Sequence, residues 1–342
     1  MHDALLPYGW SDRWLALLHS LERDDVAPGR VVRHDGMTVN VAGPGGDIAP
    51  FPVHTNVDPQ PVVGDWVATT DAVVAVLPRA GLLRRQDPDG GEQPLVANVD
   101  AMVIVCGLDR PVKPGRVQRA VVLAWDAGAQ PLLVLTKADL VDPADATATA
   151  EELQQIDLGA DVVITSATTS EGIDDVRARC AGRTIVLFGE SGAGKSTLAN
   201  ALIGDDVAAT GRVRDGDSKG RHTTTSREVF LLPGGGVLVD TPGIRGVGLW
   251  IDEESAAAIF DDVEEIAEQC RFPDCQHEGQ PGCAIAEALE TGELSAARLD
   301  AWRLVQREQA AMARKSDPRA RHAYSRHWAK ITQEASKRAR RT

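Results

Sequence analysis

The chain has 342 residues, a formal net charge of −14 and five cysteines. This length favours two or three folded units, of which we expect three. The acidic balance excludes a surface that binds nucleic acid all over, and the odd cysteine count argues against a disulfide framework. No run approaches the roughly eighteen apolar residues of a membrane span and the start lacks a secretion signal, so we expect a cytoplasmic protein with no membrane partner.

The first segment, residues 1–28, is predicted to be helical. Ser11 or Asp12 can cap a helix whose apolar side chains recur at helical spacing, namely Trp10, Trp14, Leu17, Leu18 and Leu21. We interpret this helix as a packing element.

Residues 29–90 change to short apolar and polar alternations separated by turn signals such as His34-Asp35-Gly36 and Asp58-Pro59. Several short strands with this spacing predict a small closed barrel, and an OB-type barrel suits the length. Composition alone leaves an RNA-binding barrel and a purely structural one equally open.

Residues 98–250 alternate strands and helices. Continuous apolar runs over 101–106, 131–135 and 161–164 predict strands that are covered on both faces of a sheet. The pattern therefore indicates a parallel α/β domain.

The second of these strands ends in Thr136-Lys137-Ala138-Asp139, which is similar to the guanine-recognition motif Asn-Lys-x-Asp. A carboxylate at Asp139 can accept from both N1–H and the N2 amine of guanine, whereas adenine would leave it unpaired. Lys137 can lay its methylene stem over the base. Thr136 replaces the Asn that ties the base loop to the phosphate loop, so this contact is in question and a weaker affinity is expected.

The third strand leads into Thr165-Ser166-Ala167, which is similar to a second base loop of GTPases, where a backbone N–H contacts guanine O6. The triplet carries little weight alone. Because it follows the first base motif by one helix, we assign Ser166 and Ala167 to the same site.

Gly189-Glu190-Ser191-Gly192-Ala193-Gly194-Lys195-Ser196-Thr197 matches the phosphate-binding pattern G-x-x-x-x-G-K-[ST]. Residues 184–188 before it read as a strand and residues 198–203 after it as a helix, which is the required context. Converging backbone N–H groups bind phosphate, Lys195 reaches the β- and γ-phosphates, and Ser196 ligates Mg²⁺. A glycine-rich turn that binds nothing is the less favoured alternative.

Two further segments follow the phosphate loop. Residues 217–225 resemble a switch loop, in which Thr223, Thr224 and Thr225 are equal candidates to close on Mg²⁺. Asp240-Thr241-Pro242-Gly243 then matches Asp-x-x-Gly, in which Asp240 holds the metal and the Gly243 N–H meets the γ-phosphate.

The last predicted domain, residues 251–342, holds four candidate metal ligands in the pattern Cys270-x4-Cys275-x-His277-x5-Cys283. Three thiolates and an imidazole complete a tetrahedral zinc site with no open position, so one structural zinc per chain is predicted. Three reduced cysteines beside a solvated histidine are the alternative. Residues 294–314 read as a helix in this mostly helical domain.

The end of the chain is basic, because residues 313–342 hold ten Lys and Arg against two acids. Aromatic side chains lie among these cations. On an otherwise acidic protein this pattern favours RNA binding over a solvated tail.

The base loops precede the phosphate loop, whereas ordinary small GTPases have the reverse order, so the sequence predicts a circular permutation. This order, the motif Gly220-Arg221-His222-Thr223-Thr224-Thr225, the segment Val63–Val67 and the cysteine spacing together resemble the bacterial ribosome small subunit-dependent GTPase A family, also called RsgA or YjeQ. The likeness spans about residues 8–332.

The resemblance implies a late maturation factor of the small ribosomal subunit that binds its rRNA and hydrolyses GTP to GDP with Mg²⁺. Ile244 stands where many GTPases place a water-positioning glutamine, so we hypothesise that His222 becomes ordered over the nucleotide on the subunit. We expect a monomer. One alternative is a nucleotide-regulated RNA-binding scaffold. The other is an ATP-dependent kinase or ATPase, and Asp139 argues against it because its carboxylate suits guanine.

Overall fold

One mixed sheet of eleven strands runs through both the N-terminal strands and the α/β part of the chain. The computed structural model describes residues 2–86, 92–154, 159–204, 228–240, 260–272, 275–296, 298–303 and 305–307. The chain divides into two compact units, Met1–Arg85 with Gln93–Trp250, and Gln86–Glu92 with Ile251–Thr342. The bounds of the four segments predicted from the sequence stay predictions.

Five short strands near the N-terminus form a barrel-like ring. They are β1 (Ala27–Asp35), β2 (Thr38–Ala42), β3 (Ile48–Pro52), β4 (Trp66–Thr69) and β5 (Val73–Val76). β1 pairs with β2 and β4, β2 pairs with β3, β4 pairs with β5, and a bridge between Val53 and Val73 closes the ring. Buried valines fill it, among them Val31, Val39, Val41 and Val67. This arrangement agrees with the small barrel predicted from the alternating pattern.

A short helix packs on one side of the ring, as predicted. After a 3₁₀ turn (Asp3–Tyr8), α1 spans Asp12–His19 and buries Trp14 and Leu18. The ring centroids of Trp10 and Trp14 lie 5.0 and 5.8 Å from that of Trp66 on β4. Trp10 precedes α1, so the predicted helix starts later than the spacing indicated, but both tryptophans pack against Trp66.

Arg30 on β1 is a buried cation in the same region. Its guanidinium lies 5.1 Å from the Trp66 ring and donates to the carbonyls of Tyr8 and Gly64 and, over 2.8 Å, to Thr184 Oγ1. Burial lowers the pKa of Arg30 to about 10. Because Thr184 begins a strand of the α/β part, Arg30 connects the ring to that part.

The α/β part contributes five parallel strands, namely β8 (Ala101–Gly107), β9 (Gln130–Thr136), β10 (Asp161–Ile164), β11 (Thr184–Phe188) and β13 (Val237–Asp240). Their order in the sheet is β10-β9-β8-β11-β13. Almost every residue of β8 and β9 is buried, which confirms the sheet covered on both faces. β12 (Glu228–Leu231) pairs antiparallel with β13 and meets β1 at the pair Arg33–Glu228.

Helices cover this sheet. They are α2 (Pro114–Asp126), α3 (Pro143–Gln154), α4 (Ile173–Cys180) and α5 (Lys195–Ile203). α2 packs against β8 and β9, α3 against β10, and α5 against β11 and α4. A separate two-stranded sheet pairs β6 (Leu82–Gln86) with β7 (Glu92–Ala97).

The second unit contains α6 (Asp261–Glu268) and α7 (Ala284–Thr291), with further helical backbone over 298–303 and 305–307. Val263, Ile285, Leu299 and Val305 are buried. None of the described helices combines the length and the apolar character that a membrane crossing requires.

Candidate functional site

The predicted site loops that lie within the described residues begin at one edge of the parallel sheet. The second base loop follows β10, the first follows β9, the phosphate loop follows β11, and Asp240 ends β13. The carboxyl ends of parallel strands meet at the same edge, where α/β proteins bind ligands. Segments that lie far apart in the chain are thereby brought together.

The phosphate loop connects β11 to α5 in a conformation that needs glycine. A side chain on Gly189 would lie 2.3 Å from the carbonyl oxygen of Val105, and Gly194 has a φ of +93° just before α5 begins. The Lys195 ammonium donates to the carbonyls of Gly189 and Glu190 over 2.7 and 2.6 Å. The loop therefore encloses its lysine at the N-terminus of a helix, where backbone N–H groups favour anions.

Thr136 ties the first base loop to the phosphate loop. Its hydroxyl donates to the carbonyl of Ala193 over 2.6 Å, and the side chain is buried. A side chain on Gly194 would lie 3.1 Å from the same hydroxyl oxygen. Because the two backbones approach so closely, the short side chain of Thr136 reaches the phosphate loop. Thr136 therefore makes the contact between the two loops for which Asn was expected. The effect of Thr136 on nucleotide affinity stays a prediction.

Lys137 makes a second connection between the same two loops. It has a left-handed backbone with a φ of +63°, and its ammonium donates to the carbonyl of Gly192 over 2.6 Å. It also donates to Asp109 Oδ2 over 2.9 Å, and this hydrogen bond lowers the pKa of Asp109. An ammonium held by a carbonyl and a carboxylate has a fixed position beside the loop.

Sequence reasoning missed Asp109. A signal was present, because this acid follows β8 by two residues and β8 ends at the same edge as the base loops. The side chain of Asp109 reaches Lys137 because β8 lies next to β9 in the sheet, between β9 and β11. The sequence does not give this strand order.

Asp139 and Ser166 bring the two base loops together. Ser166 is fully buried, and its hydroxyl donates to Asp139 Oδ1 over 2.6 Å. The N–H of Ala138 also donates to the carbonyl of Thr165 over 3.1 Å. Asp139 itself is exposed. One carboxylate oxygen is therefore anchored, on a side chain that is open to a ligand. Ala167, the residue after Ser166, is half-buried.

The candidate metal ligands of the phosphate site lie at the same edge. Ser196 is exposed in the first turn of α5, and Asp240 is exposed at the end of β13. Hydroxyl and carboxylate oxygens are donors that Mg²⁺ accepts. The predicted residues His222, Thr223, Thr224, Thr225 and Gly243 lie outside the described residues, as does the basic segment 313–342.

The second unit brings the four predicted metal ligands together. The Sγ atoms of Cys270, Cys275 and Cys283 and a ring nitrogen of His277 all lie within 4.8 Å of one another. His277 Nδ1 is 3.5 Å from Cys270 Sγ and 3.9 Å from Cys283 Sγ. A tetrahedral ion with metal–ligand bonds of about 2.0–2.3 Å requires ligand atoms about 3.3–3.8 Å apart, so this cluster could hold one.

Helix ends and a turn position these ligands. Cys270 follows α6 and Cys283 immediately precedes α7. The N–H of Arg271 donates to the Gly282 carbonyl over 3.0 Å, and this hydrogen bond brings the two ends of the connecting segment together. The His277 ring lies against Trp302 with centroids 5.7 Å apart, and Arg303 donates to the His277 carbonyl over 2.6 Å. Burial lowers the pKa of His277, which favours the neutral imidazole that binds metal.

A family model and the individual relatives with similar sequences point to the same family. Residues 76–250 match the family model described as RsgA GTPase. A protein of Streptomyces avermitilis named "Small ribosomal subunit biogenesis GTPase RsgA" is 45% identical over 337 residues, which cover 95% of this chain and 90% of that protein. A protein of the same name from Streptomyces coelicolor is 43% identical, covering 94% of this chain and 90% of the relative.

Solved structures agree with these sequence matches. The crystal structure of YjeQ from Thermotoga maritima superposes with a TM-score of 0.63 at 28% identity, covering 83% of this chain and 98% of that one. YloQ, described as a circularly permuted GTPase, has a TM-score of 0.60 at 23% identity, covering 86% of this chain and 98% of its own. The fold thus has the strand arrangement of a circularly permuted enzyme.

Proposed function

The chain belongs to the RsgA GTPase family, and we propose that it hydrolyses GTP to GDP and phosphate when it binds the small ribosomal subunit, as a late maturation factor of that subunit. The observation that carries the nucleotide part is the double tie between the first base loop and the phosphate loop. Thr136 reaches Ala193 and Lys137 reaches Gly192, both over 2.6 Å. A loop suited to guanine and a loop suited to triphosphate therefore form one binding surface.

Base selection is assigned to Asp139. With one carboxylate oxygen held by Ser166, the side chain can accept from N1–H and the N2 amine of guanine. Adenine offers neither donor in those positions, so its binding would leave the carboxylate unpaired. Lys137 covers the base with its methylene stem, and Ala167 contributes its backbone N–H.

Hydrolysis requires charge stabilisation more than covalent chemistry. A water oxygen bonds to the γ-phosphorus, the bond to the β–γ bridging oxygen breaks, and the water's protons end on phosphate and solvent. Lys195 and the N–H groups of the phosphate loop stabilise the charge on the phosphoryl oxygens, and Gly243 contributes another N–H. Mg²⁺, held by Ser196 and Asp240 directly or through water, would neutralise part of this charge.

The residue that positions the attacking water is assigned to His222. The motivation is Ile244, which stands where many GTPases place a glutamine, beside an available imidazole in the switch loop. Slow turnover of the protein alone follows from this arrangement. An His222→Ala protein that kept full turnover on small subunits would remove this assignment.

Zinc is the metal proposed for the Cys₃His cluster, because soft thiolates with one imidazole in a closed set suit Zn²⁺. It would stabilise the fold of a segment that has little core of its own. The OB-type ring and the basic residues 313–342 are proposed to bind rRNA, the second by phosphate neutralisation. A ribosomal role implies action in the cytoplasm, and we keep the expectation of a monomer.

The test is GTP turnover by the full chain with purified small subunits, with large subunits and with neither. We expect small subunits to raise turnover by about tenfold or more. The Lys195→Ala chain should show no stimulation. Equal turnover in all three reactions would contradict the proposed partner. If GTP only strengthened subunit binding and no phosphate were released, the scaffold alternative would stand instead.

A further inference from the structure

A cavity of about 530 Å³ lies between α2 and the phosphate loop. Its walls come from the end of β8, the connection to α2, α2 as far as Leu123, and residues 188–191 and 193. Among its described lining residues there is none from the base loops 136–139 and 166–167. The cavity therefore adjoins the proposed nucleotide site without including its base-binding part.

The interior of this cavity is apolar. The side chains that form it are those of Ile104, Cys106, Val117, Ala120, Leu123 and Phe188. Burial raises the pKa of Cys106 to about 11, so its thiol is neutral at physiological pH and behaves as a small apolar group. A volume of this size lies within the range of about 300–1,000 Å³ that is typical of small-molecule sites.

The rim of the cavity is cationic, in contrast to the net charge of −14 of the whole chain. Four lining residues carry positive charge, namely Arg110, Lys113, Arg116 and Arg119. Glu190 is the one carboxylate among the described lining residues, and it pairs with Arg116. Lys113 is exposed in the connection before α2. Arg110 pairs with Asp109, which does not line the cavity. The exposed Lys113 is therefore the rim cation that would attract an anion.

We propose that this cavity binds a small amphipathic anion, a compound with a flat apolar body and a carboxylate, sulfonate or phosphate group. The apolar body would displace water from the interior, and the acid group would meet Lys113 at the rim. Glu190 and Ser191 belong to both the cavity wall and the phosphate loop. Bound nucleotide would therefore change the affinity of the cavity for its occupant. This coupling rests on the proposed function, whereas binding of the occupant does not.

The probe is 8-anilinonaphthalene-1-sulfonate, which has this chemistry and fluoresces when it leaves water. Titrated into the full chain, it should bind saturably with one site per chain. Ala120→Phe fills the cavity and should weaken binding by about tenfold or more, since the flat body loses its space. Lys113→Glu should weaken binding by about threefold or more, since it places a negative charge on the rim.

Arg23→Glu is the matched control, because it reverses one exposed cation that pairs with Asp25 in a different part of the chain. It should leave probe affinity within about twofold of the unchanged chain. Thermal unfolding and GDP binding establish that Ala120→Phe is folded. Should that variant not fold, the comparison of Lys113→Glu with Arg23→Glu decides. Equal probe affinity in these two variants, or an unaltered affinity in folded Ala120→Phe, would overturn the proposal.

Two further measurements separate the possible failures. Calorimetric GDP binding with and without saturating probe should show a change in GDP affinity, matched by the same factor in probe affinity when GDP is present. If GDP does not bind at all while the probe does, the proposed function fails and the cavity assignment survives. A single-stranded RNA oligomer that displaces the probe from the unchanged chain but not from Lys113→Glu would overturn the small-molecule assignment.

Discussion

Replacing Thr136 with valine removes one hydroxyl and preserves the shape of the side chain. In the structure this hydroxyl is buried and donates to the Ala193 carbonyl over 2.6 Å, and it is one of two ties between the base loop and the phosphate loop. Loss of the donor leaves a buried carbonyl without this partner, at a cost of about 1–2 kcal/mol. Because the two loops are proposed to bind one nucleotide, most of this cost should be seen in nucleotide affinity.

The assay is a fluorescence titration with a labelled GDP, with thermal unfolding measured in parallel. For Thr136→Val we expect an affinity about 5- to 30-fold weaker, which corresponds to about 1–2 kcal/mol. The preference for guanine over adenine should be unchanged, because Asp139 and Ser166 are intact. Thr136→Asn supplies a longer donor to the same carbonyl and should stay within about threefold of the unchanged chain.

Thr69→Val is the matched control. Its buried hydroxyl donates to the Ala27 carbonyl over 3.1 Å within the ring of N-terminal strands. This variant should lower thermal stability and leave GDP affinity unchanged. If Thr136→Val bound GDP as tightly as Thr69→Val does, the tie would have no role in nucleotide binding and the reasoning would be refuted.

Three further predictions concern the ring, the metal cluster and the cavity. Arg30→Met should lower the midpoint of chemical unfolding, because the carbonyls of Tyr8 and Gly64 lose a charged donor worth about 2–3 kcal/mol; Arg23→Met should not, and equal midpoints would contradict the role of Arg30. The purified chain should contain about one zinc per molecule. Cys283→Ser should lose this zinc, and protease should then cleave residues 260–307 more readily; an unchanged chain purified without metal, together with equal proteolysis of Cys283→Ser, would oppose the zinc assignment. Cys106 has a pKa of about 11 against an ordinary 9.0, which means about 100-fold less thiolate at pH 8. Its alkylation, followed by peptide mass spectrometry, should therefore be slow at pH 8, and the rate should rise about tenfold per pH unit below that pKa. A rate at pH 8 equal to that of free cysteine would contradict burial of this thiol.

The sequence predicted the α/β strands well because their signals are local. Residues 184–188 and 161–164 are apolar runs that coincide with β11 and β10. The phosphate loop and the cysteine spacing each lie within a short segment, so their motifs predict which residues come together. The 136–139 and 165–167 loops, which we assign to one site from their likeness to base-binding loops, lie at a common edge because strand ends in a parallel sheet meet there.

What the sequence could not predict depends on strand order and on backbone approach. The tie through Thr136 exists because Gly194 has no side chain at the point where the two loops meet, and no local pattern reports that distance. Asp109 contacts Lys137 because β8 lies between β9 and β11, which is a property of the sheet. The cavity beside α2 results from helix packing over the phosphate loop, which periodicity does not determine.

The central claim is that Asp139 reads the guanine edge in a site that also holds the phosphates on the loop of Lys195. The most direct measurement is the affinity of Asp139→Asn for GDP and for xanthosine diphosphate, which has a carbonyl at position 2 in place of the amine. We expect GDP affinity to fall by about 30-fold or more and xanthosine diphosphate to become the tighter ligand, because an amide N–H can donate to that carbonyl. Unchanged GDP affinity in Asp139→Asn, with no gain for xanthosine diphosphate, would contradict the claim.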